Sequence, residues 1–124
     1  MILLVGMGSF IGGICRYLLS MLVQSKFSSS FPYGTLLVNL TGCLLIGILF
    51  GFFDRNQVSH EWRLLFITGV LGGFTTFSAF SVETYNLIKS GNYGSAILYV
   101  ALSVILGISL TFLGAWIIKT SSPS

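Results

Sequence analysis

Charge is what this chain has least of. Of its 124 residues, 7% are Asp, Glu, Lys or Arg, three of them acidic and six basic. A soluble domain carries about 25% charged residues, so few charges cannot coat a water-facing surface, and an apolar solvent is the remaining explanation. Cysteine is scarce too. Cys15 and Cys43 both lie in apolar runs, without CxxC spacing or a nearby histidine, which excludes a zinc or thioredoxin-type site and reads as packing. With three acids, one histidine (His60, in a polar loop and read as solvated), no GxSxG and no P-loop, the chain offers no enzyme constellation. The net charge of +3 does not point to nucleic acid, because Arg16, Lys26, Arg55, Arg63, Lys89 and Lys119 are scattered and form no patch to neutralise phosphates. A basic n-region and a small-x-small cleavage site are also missing at the start, so residues 1–22 are expected as a retained first span, not a signal peptide.

Apolar residues are what the chain has: 54% are hydrophobic. A hydrocarbon core of roughly 30 Å takes about 20 of them per helix, and four runs fit, at about 2–23, 33–53, 63–88 and 93–118, in one domain of an all-α membrane protein. Lys26 with Ser28, Ser29 and Ser30 ends the first, and Pro32 is placed to start the second. Asp54-Arg55-Asn56-Gln57 ends the second, Lys89-Ser90-Gly91-Asn92 makes a tight third connection, and residues 120–124 form a polar tail. Trp62, Trp116 and Lys119 suit the membrane interface. Gly8/Gly12, Gly47/Gly51 and Gly69/Gly73 have the small-xxx-small spacing of closely approaching helices, in a compact bundle or a dimer. If the N-terminus is cytoplasmic, that side holds Arg55, Arg63 and Lys119 and the other holds Lys26, Lys89 and Arg16. The positive-inside rule then gives no preference. Insertion in both orientations with antiparallel pairing, and a fixed orientation set by other cues, both remain open.

The middle of the third run places Gly72-Gly73 before Thr75-Thr76. Two glycines and two β-branched threonines weaken a helix, so a break near its centre is expected, against the alternative of an intact helix using its glycines for packing. Arg16 and Glu83 are ionisable within spans, and such residues are functional candidates by default. Either they pair or cap one another, or they stand at the entrance of a pore. Asn39 and Thr41 on the second span, Thr75, Thr76, Ser78 and Ser81 on the third, and Ser95, Tyr99, Ser103 and Thr111 at multiples of four on the fourth form a polar track. Phe77 and Phe80 share a face in this setting. The edge of a phenyl ring carries the positive lobe of its quadrupole, so ring edges, an amide N–H and hydroxyls together suit a small dehydrated anion held without a fixed cation.

The segments Gly12-Gly13-Ile14-Cys15-Arg16-Tyr17, Gly34-Thr35-Leu36-Leu37-Val38-Asn39-Leu40-Thr41-Gly42-Cys43 and Gly72-Gly73-Phe74-Thr75-Thr76-Phe77-Ser78-Ala79-Phe80-Ser81 resemble the Fluc (CrcB) fluoride channels, and the resemblance covers essentially the whole chain. It implies a dual-topology antiparallel homodimer in the bacterial inner membrane, passive export of cytoplasmic fluoride that lowers its toxicity, and no enzymatic activity. It implies partners in fluoride, lipid and a second copy of the chain. Phe77 and Phe80 would touch fluoride with their edges, and Asn39 would be the pore asparagine. Ser78 with Tyr99, Ser103 and Thr111 would form the track. The backbone carbonyls of Gly72 and Thr75 would hold a central structural sodium ion, Arg16 would be the span-one arginine, and Glu83 the carboxylate after the ring pair. Gly107 departs from the pattern, since many relatives carry a hydroxyl there and a water could fill the space. Two alternatives to the channel are a small proton-coupled multidrug exporter of four-helix type, for which the first span lacks the titratable carboxylate, and a non-transporting subunit, for which the polar track has no use.

Overall fold

A computed structural model describes residues 1–121, of Ser121 the backbone alone; the polar tail expected at the end lies, from residue 122 on, outside the described residues. Helix α1 is Ile2–Gln24 and α2 is Tyr33–Arg55. The third apolar segment is composite: α3 (His60–Arg63), a π-helical stretch Leu64–Leu71, α4 (Gly72–Phe74) and α5 (Phe77–Lys89). Helix α6 is Tyr93–Ser121. Ile2–Gln24, Tyr33–Arg55, His60–Lys89 and Tyr93–Thr120 are each long and apolar enough to cross a membrane. Trp62, expected in the polar loop, lies instead inside the third segment, because Ser59 is extended and the helix starts at His60; its ring stacks on Phe66 at 5.7 Å.

Side chains and one glycine make the short connections. Gln24 closes the α1–α2 loop by donating to the Ser29 and Phe31 carbonyls (3.3 and 3.0 Å) and accepting from the Gly34 N–H (3.0 Å). At the end of α5, Gly91 takes a φ of +84°, which lets Asn92 N–H reach Leu87 O and Gly91 N–H reach Ile88 O. This pair of bonds is the Schellman ending, and its left-handed residue is best supplied by glycine.

Lipid removes the hydrophobic drive for helices to associate, so backbone proximity has to hold them. The glycine pairs serve this inside the chain. A Cβ on Gly12 would meet the Val70 carbonyl, one on Gly69 would stand 3.0 Å from Gly8 Cα, and one on Gly73 would meet Ser9, which together seat α1 on the π-helical stretch and α4. Gly47 meets Thr111 and Gly114 meets Leu44, which seats α2 on α6. Two small buried clusters complete the interior: Phe31, Leu36, Leu87, Ala96 and Tyr99, and Val38, Leu71 and Phe74. Large apolar side chains such as Ile2, Leu3, Phe10, Ile97 and Phe112 face outward, where hydrocarbon is their natural solvent.

Gly12→Ala drives its methyl into the Val70 carbonyl. It is expected to cost about 1–3 kcal/mol by overpacking and to lower the thermal midpoint in detergent. Gly94→Ala, with nothing within 4 Å of the new methyl, is expected to leave the midpoint unchanged or raise it. Equal midpoints for the two variants would mean that close approach is not what holds α1 in place.

Candidate functional site

Between α4 and α5 the backbone is extended for two residues, Thr75 (φ −87°, ψ 154°) and Thr76 (φ −147°, ψ 121°). In a continuous helix the Thr76 N–H would bond the Gly72 carbonyl and the Ala79 N–H the Thr75 carbonyl. Both donors go elsewhere. Thr76 N–H donates to Asn39 Oδ1 (2.9 Å), and Asn39 Nδ2 donates to Thr76 O (3.0 Å), so one side chain of α2 satisfies both polar groups of Thr76. Ala79 N–H donates to Thr76 Oγ1 (3.1 Å), a threonine N-cap for α5. The Gly73 carbonyl accepts from Arg16 Nε at 3.3 Å. Thr75 Oγ1 turns back to Leu71 O (3.0 Å), and its methyl fills the space a side chain at Gly42 would need.

Helix α2 carries Thr35, Asn39 and Cys43 four residues apart, and each meets a different element. Thr35 donates to Glu83 Oε1 on α5 (2.6 Å), Asn39 holds Thr76, and Cys43 Sγ lies 3.4 Å from where a Cβ on Gly107 of α6 would stand. Two recesses flank this stripe. One, of about 500 Å³, is polar and lined by Ser20, Gln24, Thr35, Glu83, Asn86 and other residues of the same end. The other, of about 280 Å³, is lined by Asn39, Cys43, Thr76, Phe77, Phe80 and Ser103 among others. Tyr99 adjoins both, its ring 5.1 Å from that of Phe80 and its hydroxyl near Thr35. Tyr99 is 0% exposed. The Thr35 proton is committed to Glu83, and both Tyr99 Oη and Ser103 Oγ are buried without a hydrogen-bond partner among the described residues. Buried polar groups are nearly always paired. Ser103 Oγ can donate inside the smaller recess, while Tyr99 Oη sits toward Thr35 at the larger one.

Asn39, Phe77, Phe80 and Ser103 come together at the smaller recess, with Tyr99 adjoining. Phe77 is 77% exposed, and its ring centroid lies 5.6 Å from that of the half-buried Phe80 at an interplanar angle of 53°. Ser78 is not in the lining; its hydroxyl shares a proton with Thr76 Oγ1 at 3.2 Å. Thr111 also stands apart, donating to the backbone carbonyls of Cys43 (3.1 Å) and Gly107 (3.2 Å). Arg16 and Glu83 do not pair with each other: the guanidinium is on Gly73 and the carboxylate on Thr35. Thr35 and Cys43 are additions that the sequence reading left out. Their spacing of four on either side of Asn39 is the signal that would have found them.

This fold and site define a multi-pass membrane protein of four apolar spans, with a largely apolar recess between them into which an amide and hydroxyls are set. A family model described as "CrcB-like protein, Camphor Resistance (CrcB)" matches residues 3–115, and this chain belongs to that family. A "Fluoride-specific ion channel FluC" of Coxiella burnetii (strain Dugway 5J108-111) is 47% identical over 118 residues, 94% of this chain and 92% of the relative. Proteins of the same name from Leptospira interrogans (serovar copenhageni) and Desulfotalea psychrophila are 44% identical over 119 residues and 42% over 116, covering 95% and 94% of this chain and 94% and 90% of theirs.

Asn39→Asp keeps the acceptor for the Thr76 N–H but sets a carboxylate oxygen against the Thr76 carbonyl. The loss of a satisfied buried pair is expected to cost about 1–3 kcal/mol, read as a lower denaturation midpoint in detergent. An unchanged midpoint would show that the extended residues find other partners.

Proposed function

We propose that this chain is a fluoride-selective passive channel that lets the ion leave the cytoplasm and so lowers its toxicity. One observation carries the reading: Ser103 Oγ, buried and without a hydrogen-bond partner among the described residues, lines one recess with Asn39 and the Phe77–Phe80 ring pair. The names of the relatives agree with it. A fluoride ion that sheds its water needs donors in return. Hydroxyl protons, the remaining Asn39 N–H and the positive edges of two phenyl rings supply them. No cationic side chain lines this recess. Conduction needs binding strong enough to admit the ion and weak enough to release it, and weak donors without a formal charge meet both demands. Glu83, held by Thr35, lines the larger recess and acts as an entrance group, while Arg16 pins the backbone at Gly73.

The direction of flow follows from acid chemistry. Neutral hydrogen fluoride crosses the membrane of a bacterium in acid surroundings, dissociates inside and leaves the anion trapped; a passive pore in the inner membrane lets it out. The interruption at Thr75 and Thr76 belongs to the pore, since it is what turns α5 and its ring pair toward α2 and α6. The working unit is an antiparallel homodimer of dual topology, which the even lysine and arginine balance and the outward apolar faces support. A structural sodium ion fits the backbone near the break. The helical donors of the Gly72 and Thr75 carbonyls are engaged by Asn39 and Thr76, and hard cations prefer oxygen ligands. The Gly72 and Thr75 carbonyls, with the same two from a second protomer, would hold the ion. Bound there, sodium would supply fixed positive charge between two copies of the chain.

The purified protein in liposomes is expected to release fluoride, followed with an electrode, and to exclude chloride. Proton-coupled cation flux would favour the small multidrug exporter, and silence a non-transporting subunit. Phe77→Ile and Phe80→Ile, which keep apolar bulk, are each expected to slow efflux at least about tenfold, or about 1.4 kcal/mol of barrier; normal rates in both would remove the ring edges from the path. For sodium the readout is stability. The thermal midpoint in detergent should be higher in sodium chloride than in N-methylglucamine chloride, and identical midpoints would count against the ion.

A further inference from the structure

We propose that the Cys43 thiol is a working part of the anion path: an S–H donor that meets the ion where α6 offers only Gly107, and the point at which a small thiol reagent stops conduction. The inference rests on the channel reading above and names a residue which that reading does not contain.

The polar stripe of α6 has a gap. Ser103, Gly107 and Thr111 follow one another at intervals of four and share a helix face. Ser103 Oγ is buried without a partner among the described residues, whereas the Thr111 proton is already given to the Cys43 and Gly107 carbonyls. An ion that has accepted the Ser103 proton therefore finds no free hydroxyl along that same face over the next two turns of α6. Helix α2 fills that place. Cys43 follows Asn39 by four residues, lines the same 280 Å³ recess as Asn39, Phe77, Phe80 and Ser103, and sets its sulfur 3.4 Å from the position of a Cβ on Gly107. The sulfur thus stands in van der Waals contact with the side-chain space that glycine leaves empty. An S–H is a weak donor and its sulfur is polarizable, so the thiol can hand an anion along without holding it. Cys43 is a free cysteine and half-buried, which keeps it within reach of the recess; the other free cysteine, Cys15, is exposed on α1 and outside the recess, and serves as an internal control.

The test uses full-length protein in liposomes, with fluoride efflux read before and after methyl methanethiosulfonate. The Cys43 S–H loses its proton to buffer, a disulfide forms between Cys43 and the methylthio group, and methanesulfinate leaves. In Cys15→Ala the reagent is expected to cut efflux at least about tenfold by blocking the path, and added fluoride should slow the modification measured by mass spectrometry. Cys43→Ser should conduct and be indifferent to the reagent, and untreated Cys43→Ala should conduct about threefold more slowly than Cys43→Ser, the scale of one weak donor. Full efflux from Cys15→Ala protein whose Cys43 carries the methylthio group overturns the inference, and so does a Cys43 that the reagent never reaches. Absence of fluoride efflux from untreated wild-type protein is a different failure: it removes the channel reading itself, and this inference with it.

Discussion

Everything at this site depends on one exchange of hydrogen bonds, between the Asn39 carboxamide and the backbone of Thr76 (2.9 and 3.0 Å). Extended backbone within an apolar span exposes an N–H and a C=O that lipid cannot satisfy, at several kcal/mol for each group. A primary amide is the one side chain that offers a donor and an acceptor side by side, as a neighbouring peptide would. With that pairing in place, Thr76 is free to cap α5, the helix that carries Phe77 and Phe80, through its hydroxyl.

The same economy of partners explains why the smaller recess is lined by neutral donors. The two ionisable groups that spans one and three carry in their apolar stretches are committed elsewhere, Arg16 to the Gly73 carbonyl and Glu83 to the Thr35 hydroxyl. With neither charge in the lining, that recess presents the two rings, the Asn39 amide and the Ser103 hydroxyl beside apolar side chains such as Ile46 and Val104. A formal positive charge there would bind an anion too firmly to pass it on. Glycine contributes at a distance, because the close seating of α1 on the third segment and of α2 on α6 is what holds Asn39, Thr76 and Ser103 within reach of one another.

Much of this was legible along the chain, and the misreadings have a common form. For Arg16 and Glu83 the sequence left a mutual pair or cap and a pore entrance both open; the mutual pair is the part that fails, since each chose a partner 57 or 48 positions away. Thr111 continues the period of Tyr99 and Ser103 but bonds to backbone, since a helix packed through Gly47 and Gly114 brings the Cys43 carbonyl to it. Trp62 looked like a loop residue because charge around it masked the start of a helix at His60.

By itself the sequence determined the solvent, the number of spans and the places where the chain turns, because these follow from apolar length, scarce charge and the local chemistry of proline and glycine. It also determined the family, through three ordered polar motifs in an otherwise apolar chain. Only the tertiary structure decided which polar groups satisfy one another and which are left with a proton to give. Periodicity fixes the face on which a side chain sits, but a hydrogen bond needs two groups within about 3 Å. Which helix supplies the second group is set by how closely the glycines let the backbones approach.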